Sequence, residues 1–275
     1  MLEPRLAQPS VSMKRSEAQH IKASAQALKL LERYGISRPD EICVEDIAWD
    51  LGIEITCEPL SGAEAYLVRI GDVGEITLSD QLVEVGSQRF AVGHEIGHWQ
   101  MHKEISQLFF CTADDLRDYR HSDPELEANT FASELLMPKF MIDPKLLTGE
   151  PSWGAIRALA EQFSVITISA AIRYADLARE PVMAVFSDGT NVRWWRENRT
   201  RMDGLWLESK QPLSEDCVAY HQARDGSVDC SLVPVPWDAW FPHVPASEDE
   251  ELFELTAKID EKGTMMSVLW APSYT

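Results

Sequence analysis

The sequence predicts an α+β fold, with a helix-rich first half built around a small sheet and a final third dominated by short strands. Three observations carry this reading. Apolar residues recur at helical spacing in several separate segments before residue 180. Among those segments lie three short strand-like runs, "IEITCEP", "EAYLVRI" and "GEITLSD", divided by Gly and Pro signals. After Pro181 the pattern changes to "VMAVFSDGTNVRWWREN", two strands around Asp188-Gly189, which is the strongest short hairpin signal in the chain.

In chain order, residues 1–15 carry Pro and Ser with little periodicity and read as a loose tail. Ile21, Ala25, Leu28 and Leu31 then mark a first helix from about Ser16 to Tyr34, with Gly35 as its C-cap candidate. Val44, Ile47 and Leu51 mark a shorter one ending at Gly52. The three strand runs follow, and after them the helix containing "RFAVGHEIGHWQMH". A polar loop through "TADDLRDYRHSD" leads to the helix "PELEANTFASELLMP", with Asp123 as N-cap, Pro124 in its first turn and Pro138 closing it. This first domain is expected over 16–150. "GAIRALAEQFSV" and "TISAAIRYADLARE" form two helices joined tightly at Ser164 to Thr167, a helix-turn-helix-like connector over 151–180. A small α/β domain is expected over 181–275, with an acidic helix near "ASEDEELFELTAKIDEK" and a last strand "MMSVLWAP".

The 275 residues are 45% hydrophobic and 25% charged, enough for one large core or two to three smaller ones. A formal charge of −20 opposes phosphate backbones and anionic membranes, so no tight direct nucleic-acid binding and no membrane association are expected. The start lacks the apolar run of a signal peptide, and no uninterrupted apolar stretch is long enough to span a bilayer, so the expected location is cytoplasmic. The five cysteines are scattered and never in Cys-x-x-Cys spacing, which predicts buried reduced thiols and no thiolate zinc knuckle.

The chemistry concentrates in His94-Glu95-Ile96-Gly97-His98. Side chains at i and i+4 of a helix lie one above the other about 6 Å apart, so His94 and His98 can aim ring nitrogens at one Zn2+ ion. Glu95, rotated away from both, can serve as general base for a water at the metal's open position. Gly93 and Gly97 each cost about 1 kcal/mol inside a helix relative to Ala, which points to close packing of another element.

A catalytic zinc needs a third protein ligand. His102 is rejected, because a straight helix carries it about 12 Å along the axis from His94. The second helix offers Glu125 and Glu127. Glu125 shares a row with Ala128, Asn129, Ala132 and Leu136, the stripe expected to face the core, whereas Glu127 shares a face with Thr130 and Glu134 and is expected to be solvated. Glu125 is therefore the expected ligand, with Asn129 one turn later orienting a ligand histidine.

These two motifs, "RFAVGHEIGHWQMH" and "ELEANTFASELLMP", together with "LAEQFSVITISAAIRYADL", resemble the ImmA/IrrE-type zinc metallopeptidase family over about residues 18 to 178. The resemblance implies a minimal gluzincin, zincin-like core in which His94, His98 and Glu125 hold zinc and Glu95 is the base. It also implies limited cleavage of a helix-turn-helix repressor, as in mobile-element or stress-response regulation, and a sensor-like C-terminal domain. Oxyanion-stabilising candidates are Tyr119 and His121 in the loop before the ligand helix and Tyr66 on a strand. Arg89 is a candidate anchor for the active helix, and the aromatics of "VRWWREN" and "PWDAWF" are expected to be core. The acidic field suits a repressor partner with a basic DNA-binding domain. The rival expectation is a non-catalytic regulator that keeps the fold and binds a partner or DNA.

Overall fold

The structure is a computed structural model that describes residues 11–106, 108–112, 115, 123–198, 201, 202, 204–227, 231–247, 249–260 and 263–274. The chain is α+β and divides into two compact units, Met1–Met141 and Ile142–Thr275. The helical pair anticipated as a connector therefore falls in the same unit as the second sheet. Among the described residues no single helix is long and apolar enough to cross a membrane.

The first unit contains helices α1 (Val11–Arg33), α2 (Val44–Asp50), α3 (Val85–Met101) and α4 (Asp123–Leu136), and strands β1 (Ile53–Glu58), β2 (Ala65–Ile70), β3 (Val73–Ser79) and β4 (Leu108–Cys111). Helix α1 begins at Val11, before the Ser16 expected from periodicity. The sheet has the order β1-β3-β2-β4, with β1 parallel to β3 and the other pairs antiparallel. Strands β2 and β3 turn through Gly71, at φ +64°, and Asp72, so a residue free to adopt left-handed backbone sits where the tight hairpin needs one. Strand β4 lies just before the polar loop, where the sequence predicts no strand. Four residues carry too little alternation to mark a strand before its pairing with β2 is known.

Helix α3 is buried on every side from Phe90 to Trp99, as a helix without a polar face must be. It packs on β2 and β3 on one side and on α4 on the other. Gly97 permits the second contact, since a Cβ there would meet Ala128 Cα at 3.1 Å and Phe131 Cβ at 3.2 Å. At the C-terminal end, the Arg69 guanidinium of β2 donates to the Trp99 carbonyl and lies over the Trp99 ring, covering carbonyl groups that the helix end leaves unpaired. The Arg89 Nε is buried and has no hydrogen-bond partner among the described residues.

The second unit contains α5 (Trp153–Phe163), α6 (Thr167–Leu177), α7 (Val218–Asp225) and α8 (Trp237–Trp240), with β5 (Val182–Ser187), β6 (Val192–Glu197), β7 (Leu232–Val235), β8 (Leu252–Lys258) and β9 (Met265–Trp270). The antiparallel sheet runs β6-β5-β9-β8-β7. Hairpin β5–β6 closes as expected, with Asp188 Oδ1 accepting from the backbone N–H groups of Thr190 and Asn191. Trp195, Trp237, Trp240 and Phe241 are core residues. Helices α5 and α6 meet at 111°.

The acidic segment expected to be helical is instead strand β8, paired on both sides with β7 and β9. Its Glu, Leu, Ala and Lys content favours helix locally, but pairing on both edges and burial of Leu252, Glu254, Leu255 and Thr256 decide the outcome. The Glu254 carboxylate accepts from the Val218 and Ala219 backbone N–H groups, capping α7 from another element, and from Trp240 Nε1 and Thr256 Oγ1.

Candidate active site

Helices α3 and α4 bring the expected ligands together. His94 Nε2 and His98 Nε2 stand 3.0 Å apart, and Glu125 Oε2 lies 3.1 Å from the first and 3.3 Å from the second. One turn of α3 separates the two rings, and Glu125, in the first turn of α4, reaches across the seam that Gly97 keeps narrow. Cys111 joins them: its Sγ is 3.3 Å from His94 Nε2 and 3.9 Å from His98 Nε2, and the four donor atoms all lie within 4.8 Å of one another.

Strand register explains the cysteine. Cys111 pairs with Ala65 and Phe109 with Leu67, so with Arg69 these residues share the sheet face turned to α3. Phe109 stacks on the His98 ring at a centroid separation of 4.1 Å. Tyr66, one residue out of phase and opposite Thr77, belongs to the other face, which removes it from the oxyanion candidates. Tyr119 and His121 lie outside the described residues.

Behind the ligands stands a layer of hydrogen bonds. Asn129 Oδ1 is 2.9 Å from His94 Nδ1, and its Nδ2 donates to the Asp115 carbonyl at 2.6 Å. On the other ring, His98 Nδ1 is 2.9 Å from His102 Nδ1, and His102 Nε2 is 2.9 Å from Glu127 Oε2. His102 is not among the four clustered donors but holds the His98 ring from behind, the kind of contact that fixes the tautomer and orientation of a ligating histidine. Glu127 is not solvated as expected: it is 8% exposed and pairs with Lys22 of α1 as well as with His102. A one-face reading of α4 fails because α1 covers the second face, where Thr130 also bonds His20.

Electrostatics of the cluster favour a cation. Burial works against a charged His94, but the hydrogen bond to Glu125 and the charges of Glu95 and Glu125 outweigh it and raise its pKa. Burial likewise opposes ionisation of Glu125, yet the two histidines hold it well below the usual carboxylate range. His98 is pulled down to about 4, chiefly by burial. Burial, aided by Glu95 and Glu125, pushes the Cys111 thiol far up, so without a cation it stays protonated. Glu95 is fully buried, its carboxylate oxygens have no close hydrogen-bond partner among the described residues beyond the neighbouring Cys111 thiol, and burial raises its pKa to about 7 against the pull of His94 and that thiol. A buried carboxylate so weakly partnered is expensive unless a positive centre or a polar ligand is meant to face it. The imidazole, carboxylate and thiol donors suit zinc, whose four tetrahedral ligand atoms stand roughly 3.3 to 3.6 Å apart.

Residues 48–174 match the family model described as the IrrE N-terminal-like domain, Peptidase M78. No curated protein matches the chain. Among solved structures, a Mycobacterium tuberculosis transcriptional regulator matches with a TM-score of 0.57 and 13% sequence identity, covering 94% of this chain and 90% of that one, a likeness of fold. The stretch that carries all four donors and Glu95 therefore lies within the part of the chain that matches the IrrE N-terminal-like domain, Peptidase M78, in agreement with the ImmA/IrrE resemblance of its two motifs.

Proposed function

We propose that this protein is a cytoplasmic zinc endopeptidase that makes one limited cut in a regulatory partner, a helix-turn-helix repressor with a basic DNA-binding domain. The observation that carries the reading is Glu95, a fully buried carboxylate next in sequence to His94 on the helix that also carries His98, with both histidines against Glu125. The three ligands would hold the ion, which when bound supplies a Lewis acid for a peptide carbonyl and lowers the pKa of water. Glu95, next to the ligand His94, would take a proton from the attacking water and return it to the leaving amine. Asn129 and the His102–Glu127 pair keep both histidines in the orientation ligation needs. Strand β4 stands at one end of the sheet order, so an extended segment of a partner can pair beside the site.

The charge of −20 supports a basic partner, because complementary potentials raise encounter rates. It argues against duplex binding by the chain itself, and so does α6, whose residues Ser169–Ala175 are all buried where a DNA-reading helix would present a polar face. Cys43, Cys57, Cys111 and Cys217 are unpaired, which fits a reducing compartment.

The test is co-expression with a neighbouring helix-turn-helix gene product, followed by intact mass. Wild type should give one discrete cut, and Glu95→Gln should keep zinc and lose the cut. Equal cleavage by both would end the peptidase reading. A second reading, a non-catalytic regulator with a structural zinc, draws on the four-donor composition of the cluster and on the transcriptional regulator of similar fold. Chelation separates the two: a structural site unfolds with its metal, whereas a catalytic one leaves a folded apo-protein.

A further inference from the structure

We propose that Cys111 is the fourth ligand of the metal and that its sulfur holds the peptidase site closed. The inference rests on the proposed peptidase function and adds a restraint to it. Its ground is the placement of Sγ, fully buried, 3.3 Å from His94 Nε2 and 3.9 Å from His98 Nε2, within a set of donors that all lie inside 4.8 Å. Nitrogen and sulfur ligands of one tetrahedral zinc stand roughly 3.5 Å apart, so the sulfur occupies the remaining corner of the set.

The position is built. Register with Ala65 turns the side chain to α3, and just after it Thr112 N and Oγ1 both donate to Asp115 Oδ2. Asn129 donates to the Asp115 carbonyl while its oxygen orients His94, so one side chain aligns a ligand histidine and the end of the strand that bears the sulfur. Glu95 supplies the second observation. Its carboxylate is fully buried and has the Cys111 thiol as a hydrogen-bonding neighbour, so the sulfur stands beside the group proposed as general base.

With sulfur in the fourth corner there is no position for the attacking water, and His94, His98, Glu125 and Cys111 form a closed site. The ligating group is the thiolate, its proton passing to solvent when the ion binds. Opening requires the sulfur to leave. Cys111 is the last residue of β4, which among the described strands pairs only with β2, so a partner segment that draws the end of β4 outward removes the sulfur, breaking the Asn129–Asp115 bond while α3 and α4 stay packed on each other.

Cobalt(II) loading of the full chain tests this in wild type, Cys111→Ser, Cys111→Ala and Glu95→Gln, the serine variant serving if alanine impairs folding. Wild type and Glu95→Gln should show a near-ultraviolet sulfur-to-cobalt charge-transfer band. Both Cys111 variants should lose it while keeping the visible bands from the histidine and carboxylate ligands. Competition with a chelator should show the Cys111 variants holding zinc about tenfold less tightly. Superimposable near-ultraviolet spectra for wild type and the Cys111 variants would overturn the proposal. Against the protein partner, the Cys111 variants should cleave at least about tenfold faster than wild type. Loss of the band with equal or slower cleavage would overturn the restraint, and loss of the band with no cleavage by any variant would instead refute the peptidase reading.

Discussion

Adding one methyl group at Gly97 and one at Gly93 should move the stability of the first unit in opposite directions, although both sit in the same buried helix. At Gly97 the new carbon would stand 3.1 Å from Ala128 Cα and 3.2 Å from both Cβ and Cδ1 of Phe131, and the nearest of these atoms is backbone that cannot rotate aside. At Gly93 the nearest atoms are Ala132 Cβ at 3.5 Å and Cα at 3.6 Å, an ordinary van der Waals contact. Replacing a helix-interior glycine by alanine gains about 1 kcal/mol in helix preference at either position. Overpacking a rigid contact costs about 1 to 3 kcal/mol, and it applies at Gly97 alone. Gly93→Ala should therefore be about 1 kcal/mol more stable than wild type, and Gly97→Ala neutral to about 2 kcal/mol less stable. Because Gly97 faces α4 between the two ligand histidines, its methyl also separates His94 and His98 from Glu125, so zinc affinity should fall in that variant and hold in the other. Urea denaturation of the chelated proteins, followed by far-ultraviolet circular dichroism, gives the first comparison, and zinc competition gives the second. Midpoints that shift the same way, or a Gly97→Ala protein more stable than Gly93→Ala, would refute the packing argument.

Glu125→Gln should weaken zinc at least as much as replacing Cys111 does, while leaving the circular dichroism spectrum of the chelated protein unchanged, as chelator competition will show. His102→Gln should weaken zinc by about 10- to 100-fold without abolishing it, because it loosens His98 and leaves every ligand in place; no change in chelator competition would remove His102 from the site. Burial raises the Glu254 pKa despite its five hydrogen-bond donors, so its contribution is fully present below the ordinary carboxylate pKa and is lost as pH rises through the raised value. Urea midpoints of the chelated wild type should accordingly decline over that window. Glu254→Gln should flatten the decline while lowering overall stability by about 1 to 3 kcal/mol, since an amide cannot accept all of these donors. An equal pH slope in the two proteins would rule this out.

What the sequence made legible was local. The i, i+4 spacing of His94 and His98 and the glycines beside them need one helix to be understood, and the helical phase of Glu125 needs only a second. Groups whose roles arise from a third element were hidden. Cys111 stands on a four-residue strand 13 residues from His98, with no cysteine partner, and only pairing with β2 turns it toward the histidines. Glu127 looked solvated because a two-faced helix was assumed, and α1 covers the face that should have met water. His102 was set aside as a ligand on distance, but its part behind His98 depends on Glu127 and could not be inferred from α3 alone. In β8 the local helix preference of "ELFELTAK" lost to pairing on two edges, which no window of sequence contains.

The donors of the site come from separate parts of the chain, Glu125 lying 31 residues from His94 and 27 from His98, with Cys111 on the strand between. An ion held by them is a removable staple across α3, α4 and the sheet, formed only in the folded unit. At a free concentration a hundredfold above its dissociation constant it would stabilise that unit by about 2.7 kcal/mol, thinning the unfolded population about a hundredfold. Proteolytic turnover draws on that unfolded population. The level of this protein would then follow the zinc supply around it, and scarcity would shorten the chain's lifetime as well as empty its site.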